Sequence, residues 1–200
     1  MIIHTPSPMM YVFAGNNGSG KSTLRNLIID KVGIEINIDP DAIARRIDAE
    51  DPEKQRLSAG KQVIKLVNEC IEEGKSFSIE TTLAGKNAIR QMQKAREHGY
   101  EVSMFYVGLG NVEQNIQRVA LRVKNGGHHI PSEDIRRRHT TSINNLISNL
   151  ELIDNLVVVD NSRSDGDLVL ETSGGFITFK DNNIPEWVIP IIDKYGTFEE

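Results

Sequence analysis

One stretch constrains the fold of this chain more than any other: "GNNGSGKS" at residues 15–22, which fits the pattern G-x-x-x-x-G-K-[ST] without a mismatch. A first strand and its loop are predicted over 9–17 and a helix from Lys21 to Lys31, so the pattern lies where a strand passes into a helix. In that setting glycines let backbone N–H groups turn inward around a phosphate, and the helix N-terminus adds a partial positive charge. The sequence therefore predicts a loop that binds the phosphates of a nucleoside triphosphate.

The residues of this loop have separate expected roles. Lys21 is expected to reach the β and γ oxygens of the triphosphate, and Ser22 to give its hydroxyl to Mg²⁺. Asn161 lies near the end of the last predicted central strand, where it either contacts the base or ribose or only shapes the turn before the next hairpin. The predicted nucleotide-binding residues are Gly15, Asn16, Asn17, Gly18, Ser19, Gly20, Lys21, Ser22, Thr23 and Asn161.

The order of elements predicts an α/β fold. Apolar runs of strand length alternate with longer amphipathic stretches, as in a parallel sheet covered by helices. A hairpin, "DLVLETSGGFITFK", and a short helix, "PEWVIPIIDKYG", follow the last central strand. We expect a P-loop NTPase three-layer sandwich with a mainly parallel central sheet, a helical lid and a C-terminal β-hairpin. The other predicted strands are 34–39, 77–82, 101–109 and 155–162. The other predicted helices begin at Pro40, Pro52, Lys86, Asn111 and Ser132, and the last three end at His98, Lys124 and about Leu152. Ser132 is expected to be the N-cap of the last of them.

Composition limits the classes of protein that remain. Two hundred residues predict a single domain, 1–200, with a lid at about 118–138 and the hairpin and helix at about 163–196. The net charge of −5 disfavours nucleic acid and membrane surfaces as partners. Cys70 is the only cysteine, so an internal disulfide is excluded, and "MIIHTPSPMM" lacks the features of a signal peptide. A cytoplasmic location is expected.

Missing motifs favour a kinase over the other classes of phosphate-loop protein. The chain has neither a serine-glycine-glycine signature nor an apolar strand that ends in adjacent Asp and Glu, so a motor of the ABC class is disfavoured. It also has no Asn-Lys-x-Asp segment with which a regulatory GTPase reads its base. Small-molecule kinases need two further parts, namely a carboxylate near the loop and a basic lid that neutralises the transferring group.

Three acids are candidates for the first part. Asp41 lies inside the first turn of a predicted helix, where capping does not require it, so it is the preferred general base. Asp39 fits the N-cap position before Pro40, and it is also a candidate for binding substrate or the metal. Glu80 ends the strand in "SIETT" and is expected, with Thr81 and Thr82, to bind the substrate, because the carboxyl ends of parallel strands line the ligand crevice.

The segment "QRVALRVKNGGHHIPSEDIRRRH" supplies the predicted lid. Arg118 and Arg122 are four residues apart, so on a helix they share one face and are expected to reach one anion together. Two glycines, Gly126 and Gly127, supply a hinge. The arginines at 136–138 fan around the next helix, so at most two of them can point at the phosphates. Arg137 is assigned to catalysis with Arg118 and Arg122, and Arg136 and His128 are assigned to the substrate.

In order and spacing, "AGNNGSGKST", "NIDPD", "SIETT" and the lid segment resemble the zeta toxin family, particularly its chromosomal branch. The resemblance covers residues from about 14 to 162. It implies a kinase that uses ATP and Mg²⁺ to phosphorylate the 3′-hydroxyl of the amino sugar in UDP-N-acetylglucosamine, and a small helical antitoxin as partner. It also implies that Lys21 is the phosphate-loop lysine, Asp41 the base and Glu80 a substrate-binding residue.

The sequence alone leaves other functions open. A kinase of another metabolite or of a nucleic acid end would share these parts, and so would a self-standing ATPase or a non-catalytic ATP-binding module. The lid departs from that of plasmid-borne members, which have an arginine before a proline where this chain has "HHIP". This departure bears on the acceptor and leaves the assignment of the donor unchanged.

Overall fold

A computed structural model describes residues 6–163 and 166–196. The outermost parts of the predicted domain, 1–5 and 197–200, and the turn at 164–165 lie outside the described residues, so part of the segment used to judge a signal peptide does too. One seven-stranded sheet has the order β2-β3-β1-β4-β5-β6-β7. Its strands are β1 (Met9–Ala14), β2 (Ile36–Ile38), β3 (Phe77–Thr81), β4 (Glu101–Gly108), β5 (Asn155–Asp160), β6 (Asp167–Ser173) and β7 (Phe176–Lys180).

The strand pairing confirms the predicted mainly parallel sheet and the C-terminal hairpin. Strands β1 to β5 are paired in parallel, whereas β6 runs antiparallel to β5 and β7 antiparallel to β6. No helix in the part of the chain that the structure describes is both long and apolar enough to span a membrane. The helices are α1 (Lys21–Val32), α2 (Pro40–Ile47), α3 (Arg56–Glu72), α4 (Lys86–Glu97), α5 (Val112–Lys124), α6 (Ser132–Ser148) and α7 (Ile189–Tyr195), with short 3₁₀ turns at Pro52–Gln55, Leu150–Leu152 and Glu186–Val188.

Helix ends follow local chemistry, and one predicted cap is wrong. Asp39 caps α2 as expected, since its Oδ1 accepts from the backbone N–H groups of Asp41 and Ala42. Ser132 was expected to cap α6 but is its first helical residue, because the extended backbone of Pro131 (φ −56°, ψ 137°) occupies the cap position. The same helix ends at Ser148, before the expected Leu152, and the chain continues as a 3₁₀ turn.

The strand order brings the predicted site residues to one edge of the sheet. Strand β3 lies directly beside β1, with Glu80 in register with Phe13, and β2 is pushed to the outside. On the other side of β1 lies β4, which pairs with it in parallel. The Phe105 ring of β4 stacks on the ring of Phe13, with 5.2 Å between the ring centroids. The loop that leaves β1 therefore emerges between the carboxyl ends of β3 and β4, over a core in which Met10, Val12 and Phe13 are fully buried.

Candidate active site

The loop after β1 has a backbone that only glycine allows. Gly15, Gly18 and Gly20 all have positive φ, at 141°, 75° and 99°. A Cβ on Gly15 would lie 2.2 Å from the carbonyl oxygen of Val107, and one on Gly18 would lie 2.7 Å from that of Asn115. Both contacts are far shorter than real Cβ contacts and involve rigid backbone. The loop is therefore packed tightly against β4 and α5 and has no room for side chains at these positions.

Hydrogen bonds from three asparagine side chains hold the loop in place. Asn16 donates to the carbonyl of Ile135 at 3.0 Å, and Asn115 donates to that of Asn17 at 2.8 Å. Asn161 donates from Nδ2 to the carbonyl of Ser19 at 2.8 Å. The side chain of Asn16 therefore stabilises the loop by bonding to the protein backbone. The hydroxyl of Ser19, by contrast, is buried and has no hydrogen-bond partner among the described residues. A buried hydroxyl without a partner inside a glycine cradle fits a site for phosphate oxygens.

Glu80 is the centre of the charged network next to the loop. The hydroxyl of Ser22 donates to its Oε1 at 2.7 Å, and the Nζ of Lys21 lies 3.7 Å from the same oxygen. Arg25 lies 3.1 Å from Oε2 and also 3.4 Å from Oδ2 of Asp39. Both Glu80 and Lys21 are buried, so two cations and a hydroxyl compensate a carboxylate that has lost most of its contact with water.

Asp39 and Asp41 divide the two roles considered for them. Asp39 uses Oδ1 for the cap and turns Oδ2 towards Arg25. Asp41 is exposed on the first turn of α2, and only its backbone N–H takes part in the cap. Both residues line the same cleft as Lys21 and as Asn17 of the glycine loop. Only Asp41 remains for a role that capping does not explain.

This cleft, of about 190 Å³, gathers most of the predicted substrate site. The turn after β3 is held firmly, because Thr81 Oγ1 accepts from the N–H of Leu83 and Asn145 donates to the Leu83 carbonyl. Leu83 is buried in the left-handed region at φ 55°, which is strained for leucine. The predicted residues that line the cleft are Asn17, Lys21, Asp39, Asp41, Glu80, Thr81, Thr82 and His128.

Arg118 and Arg122 lie in different cavities, contrary to the expectation that they reach one anion together. Arg118 donates to the carbonyl of Asn161 at 2.8 Å and lines a cavity of about 670 Å³. Arg122 donates to the carbonyl of His128 at 3.2 Å and lines another cavity, of about 290 Å³, together with Asp41. We call them the loop cavity, which Gly18, Gly20, Thr23, Leu27 and Leu168 also line, and the arginine cavity, which Arg45, Arg56, Gly126, Gly127 and His128 also line.

The three arginines of α6 are placed differently from what was expected. Arg136 pairs with Glu113 and Arg137 with Asp134, both on the exposed surface and outside the lining of the cleft. These arginines hold the pKa of the Glu113 and Asp134 carboxyls below their usual range. Arg138 is buried, donates to Asn17 Oδ1 at 2.9 Å and lines the cleft.

Sequence reasoning missed Arg138, although a signal was present. Buried residues recur along α6 at Ile135, Arg138, Ser142 and Leu146, a spacing that places them on one face of the helix. Arg136 and Arg137 fall outside this stripe. Arg25 was missed as well, and its signal was its position one helical turn after Lys21, where a side chain points from α1 towards the same carboxylates.

The fold and the loop define a P-loop protein of the α/β class. The family model of the zeta toxins matches residues 3–168, so the chain belongs to the zeta toxin family. It is also 39% identical over 127 residues to an uncharacterized protein of Haemophilus influenzae, a match that covers 64% of this chain and 89% of that protein.

Solved structures share the architecture. The PezAT chromosomal toxin–antitoxin system of Streptococcus pneumoniae matches with a TM-score of 0.62 and 18% identity, over 98% of this chain and 82% of that one. The AvrRxo1-ORF1:-ORF2 structure with ATP gives 0.65 and 14%, over 86% of this chain and 60% of that one. Shikimate kinase from Acinetobacter baumannii, with shikimate, gives 0.50 and 17%, over 78% and 85%. At these identities the likeness shows a shared fold.

Proposed function

We propose that this protein is an ATP-dependent small-molecule kinase that transfers the γ-phosphoryl group to a sugar hydroxyl. The observation that carries the proposal is the single cleft that Lys21, Asp41 and Glu80 line together with Asn17 of the glycine loop. Membership of the zeta toxin family supports it. Residues 1–200 would form one kinase domain, in which 118–138 of α5, α6 and the turn between them act as the lid.

The donor would bind across the loop. Its phosphates would lie in the glycine loop, where a phosphate oxygen could accept a hydrogen bond from the buried hydroxyl of Ser19, which has no partner among the described residues. Its base would enter the loop cavity, beside Arg118, Asn161 and the exposed leucine Leu27. We therefore assign Arg118 to the nucleotide base, and leave charge neutralisation at the transferred phosphoryl to Lys21 and Arg138.

The residues present fit a magnesium ion that arrives with the nucleotide. The Ser22 hydroxyl and the Glu80 carboxylate offer the hard oxygen atoms that Mg²⁺ prefers, with Asp39 close by. The described residues contain no group of three or more acidic, histidine or cysteine side chains that could hold an ion alone. When bound, Mg²⁺ supplies charge neutralisation between the β- and γ-phosphates.

Transfer would be an in-line displacement that Asp41 prepares. The acceptor hydroxyl oxygen forms a bond to the γ-phosphorus while the bond from that phosphorus to the bridging oxygen breaks, and ADP leaves. Asp41 accepts the hydroxyl proton, and its exposure at the mouth of the cleft leaves room for an alcohol beside it. Lys21 and Arg138 spread the charge that develops on the transferred group.

The arginine cavity supports an acceptor that carries its own phosphates. In a chain of net charge −5, Arg45, Arg56, Arg122 and His128 line one cavity with a single acid, Asp41. It adjoins the cleft through Asp41, Ala44, Arg56 and His128, so one molecule can place a hydroxyl at Asp41 and an anionic group among the arginines. We propose that the acceptor is a UDP-sugar and that the reacting group is the 3′-hydroxyl of UDP-N-acetylglucosamine. We also propose that the enzyme acts in the cytoplasm.

The test is transfer of labelled phosphate from ATP to a panel of UDP-sugars, other nucleotides, free sugars and oligonucleotides. We expect a phosphorylated UDP-sugar, and we expect Asp41→Asn to slow its formation by about 10² to 10⁴-fold while ATP binding is retained. A labelled product from another metabolite or a nucleic acid end would replace the acceptor. Phosphate release that no acceptor accelerates, or no turnover at all, would overturn the kinase.

We propose a small helical antitoxin as the protein partner, since the PezAT structure is that of a toxin–antitoxin system. Expression of the wild type should then arrest growth, and Asp41→Asn should relieve the arrest, because the toxic effect would be the transfer itself. A short helical protein encoded next to the gene should restore growth when it is co-expressed. Normal growth of cells that contain active enzyme would count against the toxin role and leave the kinase in place.

A further inference from the structure

Asn17 lies at the end of the glycine loop that borders the cleft. Among the loop residues, Gly18 and Gly20 line the loop cavity, where the base would bind, whereas Asn17 and Lys21 line the cleft, where the acceptor would bind. In an in-line transfer the γ-phosphoryl group lies between the leaving oxygen and the attacking oxygen. The γ-phosphoryl group would therefore lie at the cleft end of the loop, beside Asn17 and Lys21.

The backbone of Asn17 is held on both sides. Its N–H donates to Oδ1 of Asn16 at 2.9 Å, and its carbonyl accepts from Nδ2 of Asn115 at 2.8 Å. All three residues are buried, with 5% of Asn17 exposed. The side chain of Asn17 therefore starts from a fixed backbone before any ligand binds, and hydrogen-bond donors that are placed in advance are the ones that contribute most to catalysis.

Arg138 determines which way the amide of Asn17 points. The Nη1 atom of Arg138 donates to Oδ1 of Asn17 at 2.9 Å, and both side chains are buried. Because a guanidinium group has donors only, the amide must turn its oxygen towards Arg138 and its nitrogen away from it. Arg138 therefore orients Asn17 as a hydrogen-bond donor towards its other neighbours.

The nitrogen of this amide has no partner within the chain. Among the described residues, the hydrogen bonds of Asn17 use its backbone N–H, its carbonyl and Oδ1, and none uses Nδ2. Nδ2 is not enclosed by protein either, unlike the unpaired hydroxyl of Ser19 in the same loop. Two N–H groups are therefore available to an oxygen atom in the cleft that Asn17 lines.

We infer that Asn17 is a further catalytic residue, which donates a hydrogen bond from Nδ2 to an oxygen of the γ-phosphoryl group and is oriented by Arg138. The inference rests on the kinase function proposed above and adds a donor to it. A neutral amide suits this position, because it stabilises the negative charge of the phosphoryl group and adds no negative charge next to Arg138. A carboxylate in its place would repel the phosphates and pair with Arg138 instead.

The first test follows the side-chain amide signals of ¹⁵N-labelled protein by nuclear magnetic resonance and needs no transfer of phosphate. ADP and a non-hydrolysable ATP analogue, with an imido group between the β- and γ-phosphates, are added separately with Mg²⁺. Loss of a signal in Asn17→Asp identifies that of Asn17. We expect an Nδ2 proton of Asn17 to shift downfield with the analogue and much less with ADP, because only the analogue carries the γ group. Equal responses to both nucleotides would overturn the inference.

Calorimetry on two variants measures the strength of this hydrogen bond. Asn17→Leu removes the donor without adding charge, whereas Asn17→Asp keeps an acceptor for Arg138 and replaces the donor by a carboxylate oxygen. In both variants the ratio of the affinities for the analogue and for ADP should fall about tenfold. Asn144→Asp, exposed on the same helix as Arg138, is the control for an added charge and should match the wild type. An unchanged ratio in Asn17→Leu would show that Asn17 donates no such bond.

Stability separates this role from a structural one. Asn17→Asp should keep the melting temperature of the wild type, because Arg138 gains an anionic partner, whereas Asn17→Leu should lower it, because the buried guanidinium loses an acceptor. In both variants kcat should nevertheless fall by about 10- to 100-fold, with the KM of the acceptor nearly unchanged. If Asn17→Asp transferred phosphate as fast as the wild type, the role of Asn17 would be structural only.

The inference and the proposed function can fail separately. If no acceptor is phosphorylated but the amide signal of Asn17 distinguishes the analogue from ADP, the contact with the γ-phosphoryl group stands and the kinase function is wrong. If a UDP-sugar is phosphorylated and both Asn17 variants match the wild type, the kinase stands and Asn17 is not a catalytic residue. If the wild type binds neither nucleotide, both are wrong.

Discussion

The proposed donor half of the site, made of the glycine loop and the loop cavity, is built differently from the proposed acceptor half, made of the cleft and the arginine cavity. In the donor half, consecutive backbone groups would bind the phosphates, and three glycines pack closely against neighbouring backbone or side-chain atoms. The acceptor half is built from side chains of α2, β3, α3, α5 and α6. A backbone site tolerates few substitutions, whereas a side-chain site can change one residue at a time.

This difference indicates how related proteins can share a donor and differ in acceptor. Substitution at Arg45 or Arg122 alters a cavity wall without a direct effect on the loop, because no hydrogen bond or ion pair joins either residue to the loop in the described structure. The loop is held instead by Asn16, Asn115, Asn161 and Arg138. Variants in each half should therefore separate ATP binding from acceptor use.

The largest effect on ATP affinity should come from Gly15→Ala, which disrupts the donor half. The new Cβ would lie 2.2 Å from the Val107 carbonyl oxygen at a φ of 141°, so the loop or β4 must move. At a strain of about 3 kcal/mol, ATP affinity should fall by roughly 100-fold, as isothermal titration calorimetry would measure. Gly85→Ala, at a glycine of ordinary φ with no atom within 4 Å of its Cβ, is the control. Near-normal ATP binding by Gly15→Ala would contradict the packing described here.

Arg138→Ala should have the next largest effect, because Arg138 joins the two halves. It donates to Asn17 in the loop and lines the acceptor cleft, so its loss removes a charged hydrogen bond and a cation near the transferred group. We expect kcat/KM to fall by about 10- to 100-fold. Arg137→Ala removes only an exposed pair with Asp134 and should change activity less than twofold. Equal effects of the two variants would show that burial does not distinguish these arginines.

A smaller effect, confined to the donor half, is expected for Arg118→Leu. The guanidinium lines the loop cavity where the base would stack, and a cation next to an aromatic ring contributes about 0.5–2 kcal/mol. The KM for ATP should rise by roughly 3- to 10-fold, with kcat and the KM of the acceptor nearly unchanged. A fall in kcat with an unchanged KM for ATP would instead support the role predicted from the sequence, in which Arg118 stabilises the transferred phosphoryl group.

The smallest effect tests a residue outside both halves. Burial raises the pKa of the Cys70 thiol, and the thiolate is the form that reacts with alkylating agents. Iodoacetamide should therefore label the native protein slowly at pH 8 and the unfolded protein quickly, as mass spectrometry would show. Since the thiol ionises more easily when unfolded, its contribution to stability is present below the usual thiol pKa and is lost as the pH rises above it. Rapid labelling of the native protein would contradict this burial.

The sequence predicted the fold and the glycine loop well because their signals are local. The glycine pattern, the cap at Asp39 and the apolar strands depend on residues that are close together in the chain. The order of the strands was not predicted, and it is the order that brings Glu80 next to the loop and places β2 outside. Such long-range pairing depends on how the whole sheet packs, which no short segment specifies.

The acceptor half was predicted less completely because it depends on the direction of side chains. Arg136, Arg137 and Arg138 are adjacent in sequence, yet only the last points into the cleft. Arg118 and Arg122 share a face of α5 as expected, but their guanidinium groups turn to different carbonyls. The period of buried residues in α6 would have identified Arg138, whereas the separation of Arg118 from Arg122 needed the positions of Asn161 and His128.

Arg25 allows the resting protein to keep two carboxylates close together. With Lys21 and the Ser22 hydroxyl, it already balances Glu80 and Asp39 from within the chain. In the folded state, the charges of these two carboxylates are therefore balanced before any metal ion binds. Purification and storage in a chelating buffer should leave the melting curve unchanged, since the metal would be delivered afresh with each molecule of nucleotide.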